Sequence, residues 1–178
     1  AILCLQEGIS IDVIQESLNS FMGIDRRMQI LGEHSINNHS CIYFDDYGHH
    51  PTEIEKTIEA VQDSYPDHKI VMVFQPHRYT RTKDLFHEFV QVLRQVDQLL
   101  LLDIYSAGEN ELDGVDSDNL QKSLIDTGFD SVELIKDNQR VIDNIDKNID
   151  SDTVFVFQGA GDISAISQQI KSDFFSDG

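Results

Sequence analysis

At 178 residues the chain is long enough for one well-buried core, with room for a fragment of a second domain. Its formal charge of −19 speaks against nucleic acid or an anionic membrane as partner, because gripping phosphates needs a basic surface. No run comes near the ~20 apolar residues that span a bilayer and no signal-peptide pattern opens the chain, so a cytoplasmic protein is expected.

The chain opens at Ala1 without a methionine, directly on an apolar periodic segment, and so reads as a piece of a longer protein. Cys4 and Cys41 lie far apart in apolar contexts and are read as buried, reduced thiols. Ile11, Ile14, Leu18 and Phe21 recur at helical spacing, with Gly23 as a stop. Met28 to Leu31 reads as a short strand and Cys41 to Phe44 as a second. Pro51 suits the first turn of a helix that carries Ile54, Ile58 and Val61 on one face to about Ser64.

Ile70 to Phe74 is a continuous apolar run of the kind buried on both faces. A helix over 82–95 follows, turning Leu85, Phe86, Phe89, Val90 and Leu93 inward. Leu99 to Ile104 is the next strand, 117–127 a helix, Val132 to Ile135 a strand and 137–148 a helix. Val154 to Phe157 is the last strand, and a closing helix runs to about Ser172. This alternation calls for an α/β fold, a mostly parallel sheet with helices on both faces.

Four of these strands run into polar loops: Asp45-Asp46-Tyr47-Gly48-His49-His50-Pro51, Gln75-Pro76-His77-Arg78-Tyr79-Thr80-Arg81-Thr82, Tyr105-Ser106-Ala107-Gly108-Glu109 and Gln158-Gly159-Ala160-Gly161-Asp162. All four belong on the carboxyl edge of one sheet, where open α/β sheets bind ligands. The acid concentrates between Asp97 and Asp152 and reads as a solvated face. Against it stand two basic clusters, His77, Arg78, Arg81 and Lys83, and the pair Arg26-Arg27. They are where a small anion would be drawn.

His49, His50 and His77 raise the question of zinc, as three imidazoles can leave one open coordination position. Adjacent histidines point in different directions on an extended segment, and the usual H-x-x-x-H spacing is absent. The alternative has His50 capping the helix at Pro51 and His49 turned to the cleft; no metal site is expected. Arg78 and Arg81, three apart at a helix entry, share a face if that turn is helical. They either hold a carboxylate or phosphate or form rim salt bridges. Asp45 and Asp46 either accept from ribose hydroxyls or cap the turn into Tyr47-Gly48. The glycines at 159 and 161 fit steric need as well as phosphate binding, with Asp162 capping the last helix. No G-x-x-x-x-G-K-[ST] phosphate loop and no nucleophile elbow is present.

The motifs D-D-Y-G-H-H-P-T-E (45–53), F-Q-P-H-R-Y-T-R-T (74–82), D-I-Y-S-A-G-E (103–109) and Q-G-A-G-D (158–162) together resemble the C-terminal part of the Mur ligases. Within that family they match the branch that adds the first amino acid. F-x-G-x-x-R-R-M-Q (21–29) is similar to the junction with the central ATPase domain. The resemblance implies that 1–24 end the central domain and that 25–178 form the Rossmann-like last domain. It further implies an ATP- and Mg²⁺-dependent joining of L-alanine to UDP-N-acetylmuramate through an acyl phosphate. The phosphate loop and most of the Mg²⁺ binding would lie in the central domain. The partners would be the two substrates, ATP and the chain's own N-terminal and central domains.

On the same resemblance Arg27, Asp46 and Tyr47 would face the nucleotide, Asp46 accepting from its ribose. Tyr47, His49, Arg78 and Arg81 would bind substrate, the last three acting in catalysis. The branch that reattaches a murein tripeptide, a non-catalytic nucleotide-binding module and a zinc-dependent hydrolase are the rival readings.

Overall fold

The computed structural model describes residues 2–21, 23–137, 139–145 and 149–175. Two helices come first, α1 (Ile2–Gln6) and α2 (Ile11–Asn19), the second capped by Ser10, whose hydroxyl accepts from Val13 N at 3.4 Å. Neither buries a residue. Ile11, Leu18 and Phe21 are exposed, so the stripe expected to turn inward joins neither core. Cys41 is buried as expected, while Cys4 is half-buried; both are free thiols.

Strands β1 (Gln29–Ile36) and β2 (His39–Asp46) pair antiparallel across the turn Asn37-Asn38. Both turn residues are left-handed, with φ of 53° and 69°, as a type I′ hairpin turn requires and as asparagine tolerates. The sequence reading found only the first residues of β1. Its outer half, Gly32-Glu33-His34-Ser35-Ile36, is too polar and too broken to stand out. A register shift between Ile30 and Gly32 breaks the alternation further.

From β2 onward the sheet is parallel, in the order β1-β2-β6-β3-β4-β5, with β3 (Lys69–Phe74), β4 (Gln98–Leu102), β5 (Val132–Ile135) and β6 (Thr153–Gln158). The last strand is the central one, and every residue of it is buried. On one face α3 (Pro51–Ser64), α5 (Phe86–Leu93) and α6 (Ser117–Asp126) bury Ile54, Ile58, Phe89, Leu93 and Leu120 against Phe44, Met72, Leu99 and Val156. On the other, α7 (Gln139–Asn144) and α8 (Ile163–Phe175) set Val141, Ile163, Ile166 and Ile170 against Tyr43, Val73, Leu100 and Phe157. The expected α/β architecture is present, with β1 the one antiparallel strand among the described residues.

Two helices differ from expectation. The segment expected as one helix over 82–95 is two, α4 (Tyr79–Asp84) and α5, broken at Leu85. The first starts early because Arg78, with φ 75°, turns the chain and its carbonyl accepts from Thr82 N and Oγ1 at 3.1 and 2.8 Å. The break lets α4 stay at the sheet edge while α5 packs on the core. The helix expected over 137–148 is described as Gln139–Asn144, and 138 and 146–148 lie outside the described residues.

Register fixes the geometry of the edge. Asp46 and Phe74 both pair with Gln158, and Leu101 pairs with Phe74. The four polar loops therefore leave the same side of the sheet, as the sequence implied.

Replacing Asn38 by valine should cost about 1 kcal/mol relative to Asn38→Gly, since a β-branched residue resists positive φ. Urea denaturation of the two variants measures it. Equal stability would mean that the turn is not held left-handed.

Candidate functional site

Strand alternation sends the two aspartates at the end of β2 to opposite faces. Asp45 points toward α8, where its Oδ2 accepts from Ser167 Oγ at 2.9 Å and its Oδ1 from Arg26 Nε at 3.3 Å. Burial pushes its carboxyl above the ordinary range, Ser167 and Arg26 hold it down, and neighbouring Asp46 raises it again. Asp46 points toward α3 and is almost fully buried. Its Oδ1 accepts from Gln158 Nε2 at 2.7 Å, Gly48 N at 2.8 Å and Thr57 Oγ1 at 3.4 Å; Oδ2 accepts from Met28 N at 2.9 Å. Gln158 Nε2 also donates to Gly48 O at 2.7 Å. A Cβ at Gly48 would lie 2.5 Å from Gln158 Nε2 and 2.6 Å from Asp46 Oδ1, so no other residue fits there without displacing the network.

That network shapes the first loop. Tyr47 is left exposed with two guanidinium groups against its ring, Arg26 at 5.0 Å and Arg27 at 5.4 Å from the centroid. Arg26, left-handed at φ 57°, is anchored. Its side chain reaches Asp45 and Gly159 O, and its carbonyl accepts from Tyr47 N at 2.7 Å. Arg27 is more exposed and pairs with Glu53 at 3.5 Å. Arg27, Asp46 and Tyr47 are thus neighbours, although the Asp46 carboxylate is turned into the fold and engaged there.

The double histidine divides as expected. His50 caps α3, its Nδ1 accepting from Thr52 N at 3.3 Å, and Glu53 Oε2 accepts in return from His50 N at 3.1 Å and His49 N at 3.0 Å. The same hydrogen bonds hold the Glu53 carboxyl below its ordinary range against its partial burial. His49 is left beside Tyr47 and His77, with ring centroids 5.4 Å from each. Among the described residues no group of three or more His, Cys, Asp or Glu side chains is placed to hold a metal ion.

The second and third loops are stitched together beyond the ends of β3 and β4. Tyr105 N donates to Pro76 O and Arg78 N to Tyr105 O, both at 2.8 Å. His77 consequently stacks on Tyr105 at 5.5 Å. Arg81 folds back onto His77, its Nη1 lying 3.0 Å from His77 O and 3.2 Å from His77 Nδ1. Arg78 precedes the helix rather than sharing its face, and its side chain is exposed. Glu109 holds the start of α4 by accepting from Thr80 N at 3.0 Å and Thr80 Oγ1 at 2.6 Å. Burial pushes the His77 pKa below its ordinary value, and the neighbouring His49, Arg81 and Arg78 push the same way against Glu109.

The fourth loop takes the steric reading. A Cβ at Gly159 would lie 2.9 Å from Gln75 O. The cap on α8 comes from Gln75, whose Oε1 accepts from Ile163 N at 3.0 Å, while the Asp162 carboxylate, expected as the cap, accepts from Gln75 Nε2. A cavity of about 580 Å³ opens beside it, lined by Gln75, Tyr105, Ser106, Lys136, Asp137 and Asp162 among others. Gln75, Gln158 and Tyr105 are the positioning residues that sequence reasoning missed. Their position at the ends of apolar runs was the available signal.

One family model, described as Mur ligase, glutamate ligase domain, matches residues 26–161. The chain is 41% identical over 173 residues to UDP-N-acetylmuramate–L-alanine ligase of Buchnera aphidicola, across 94% of the chain and 36% of that protein. It therefore spans about a third of the length of the curated relatives it matches. Its fold is similar to the crystal structure of the Thermotoga maritima UDP-N-acetylmuramate–alanine ligase, with TM-score 0.76 and 25% identity over 99% of the chain and 36% of that one. A murein peptide ligase from Psychrobacter arcticus shares the fold at TM-score 0.63 and 20% identity, over 87% of the chain and 31% of that one.

Replacing Asp46 by alanine leaves Gly48 N, Met28 N and Gln158 Nε2 short of an acceptor. At about 1–3 kcal/mol for each buried donor so stranded, a loss of about 3 kcal/mol or more is expected in urea denaturation. A loss under about 1 kcal/mol would show that this carboxylate does not hold the loop. The pH dependence has a definite sign. The pKa of His77 is lower in the fold than its ordinary 6.5, so the unfolded chain takes up the proton first. Stability should fall as pH drops through about 6.5 toward the folded value. His77→Gln should flatten that part of the curve, and an unchanged slope would count against it.

Proposed function

Since the chain belongs to the Mur ligase family, carrying its glutamate ligase domain over residues 26–161, we propose that it is the last domain of a cytoplasmic, ATP-dependent ligase that joins L-alanine to the lactyl carboxylate of UDP-N-acetylmuramate. Residues 1–24 are assigned to the end of the preceding ATPase domain and 25–178 to this one. The identity to an alanine-adding ligase along 94% of the chain supports the choice of branch. The observation that carries the reading is the gathering of Tyr47, His49, His77 and Arg81 at one sheet edge, in a chain whose net charge is strongly negative.

Arg78 and Arg81 are the groups we assign to the carboxylate of the amino acid and to the charge that develops on the acyl phosphate. A guanidinium fork suits both anions, and preorganised cations lower the cost of charge appearing in the transition state. Arg81 has its Nη1 committed to His77, and among the described residues its Nε and Nη2 keep their donors for a ligand. Arg78 has no side-chain partner among the described residues and is exposed, as a group that meets its ligand on closure would be.

Tyr47 with Arg27 fits a nucleotide, offering an aromatic face and a cation together. Asp46 acts there mainly by fixing Gly48 and Met28, and Oδ2, with Met28 N as its one described donor, is the atom assigned to a ribose hydroxyl. The phosphates and Mg²⁺ are assigned to the central domain, because the sequence carries no G-x-x-x-x-G-K-[ST] phosphate loop. When bound, Mg²⁺ would offset charge on the phosphoryl oxygens. Closure of the domains would place the amine in line and exclude the water that competes for the acyl phosphate.

Phosphate release by the complete enzyme with ATP, Mg²⁺ and UDP-N-acetylmuramate is the direct test. Turnover on adding L-alanine supports the assignment, and turnover with the murein tripeptide alone would transfer the chain to the recycling branch. Arg81→Ala should lower kcat/KM for alanine at least about tenfold, or ~1.4 kcal/mol of transition-state binding; unchanged kinetics would remove the residue from the site. The present chain by itself should hydrolyse no ATP, and robust ATPase activity would overturn the division of labour between domains.

A further inference from the structure

The two imidazoles at the sheet edge are held by partners of opposite kind. His49 Nδ1 lies 3.0 Å from Tyr47 O. A carbonyl oxygen only accepts, so this nitrogen carries a hydrogen and the lone pair of the neutral ring sits on Nε2. His77 Nδ1 lies 3.2 Å from Arg81 Nη1. A guanidinium only donates, so here Nδ1 carries the lone pair and the ring hydrogen sits on Nε2. The same Arg81 nitrogen spends its other hydrogen on His77 O at 3.0 Å, which fixes both the ring and its backbone.

These two arrangements respond differently to a proton. His49 can take one on Nε2 and keep its bond to Tyr47 O unchanged. His77 cannot take one without setting N–H against N–H and a cation against Arg81. We propose that His49 Nε2 is the base that takes a proton from the ammonium group of the incoming amino acid, while His77 stays neutral and presents Nε2–H as a donor to the oxygen that gains charge at the acyl carbon.

This division of roles rests on the ligase reading above. One proton passes from the ammonium to His49 Nε2, and the freed nitrogen pair forms the C–N bond at the acyl carbon. As the tetrahedral adduct collapses, the C–O bond breaks, its electron pair leaves with the phosphate, and the second nitrogen proton departs on that phosphate. The amide keeps the third. A neutral imidazole can donate to the transient oxyanion while keeping its proton, alongside the fixed cations of Arg78 and Arg81.

The charged and titratable groups around the pair favour the same assignment. Arg81 on α4, and Arg78 and His49 from the adjoining loops, oppose a charge on His77, with Glu109 from the β4 loop pulling the other way. Tyr105 covers one ring face of His77. His49 has Tyr47 beside it, and its backbone N–H donates to the Glu53 carboxylate of α3.

Long-range ¹H–¹⁵N spectra of the histidine rings in this chain test the tautomers directly. The expected result at neutral pH is a hydrogen on Nε2 of His77 and on Nδ1 of His49, with the His77 pattern becoming mixed in Arg81→Ala. A hydrogen on Nδ1 of His77 would overturn the proposal. In the complete enzyme His49→Gln should lower kcat by about 100-fold, the low end for losing a positioned base, and abolish the acidic limb of the pH profile. His77→Gln, whose amide can accept from Arg81 and still donate, should retain activity within about tenfold and keep that limb, while His77→Ala should lose more. Loss of the limb in His77→Gln but not in His49→Gln would reverse the roles and sink the proposal. If the complete wild-type enzyme does not turn over with L-alanine, the ligase reading and the amine chemistry fall together, whereas the ring tautomers are decided by the spectra alone.

Discussion

A single amide nitrogen, Nε2 of Gln158, joins the end of the central strand to both Asp46 and Gly48. The first polar loop and the segment that leads into β1 are arranged around that link. It orients the Asp46 carboxylate, which in turn takes the backbone of Met28 and so locks the segment arriving from Arg26 and Arg27. It pins Gly48, which leaves Tyr47 outside and His49 facing His77. In this buried network Gln158 Nε2, Gly48 N, Thr57 Oγ1 and Met28 N all donate to Asp46, while Gln158 Oε1 is buried with no partner among the described residues. One carboxylate thus gathers a nearby loop glycine, a threonine of the next helix and a strand end 112 residues away.

Charge is handled on two scales. The molecule as a whole repels anions, with −19 over 178 residues, but Arg26, Arg27, Arg78 and Arg81 all come to one edge. Of these, Arg26 is used up by Asp45 and Gly159, and Arg27 by a loose pair with Glu53. Arg81 is half spent on a histidine, a partner that costs it no charge. Arg78 and the remaining donors of Arg81 are therefore the cationic groups left for a negative ligand among the described residues of this edge. The acidic remainder keeps other anions away.

Much of this was legible beforehand, because the informative residues act locally. Pro51 after a capping His50 marks a helix start, and α3 begins there, with Glu53 completing a capping box. The apolar runs at 70–74 and 154–157 are central strands because nothing in them needs water. The alignment of four polar loops on one edge followed from reading those strands as parallel. What stayed hidden depends on partners far off in sequence. Gln75 and Gln158 look like ordinary polar residues after a strand until their partners, Ile163 and Asp46, are seen 88 and 112 residues away. The Asn37-Asn38 turn was missed because its flanking strand is half polar, and the break at Leu85 has no glycine or proline to announce it.

The position of β6 has a consequence for how the molecule comes to be. β2 and β3 do not pair with each other; each pairs with β6. During synthesis the hairpin and the β3–β4–β5 ribbon must emerge as two separate half-sheets, each with an open edge, and wait for the strand that comes last. Until it arrives neither has its core closed, and both offer bare backbone to any other chain nearby. Such long-range closure is slow, so the element that completes the binding edge is also the one that covers the facing edges of β2 and β3.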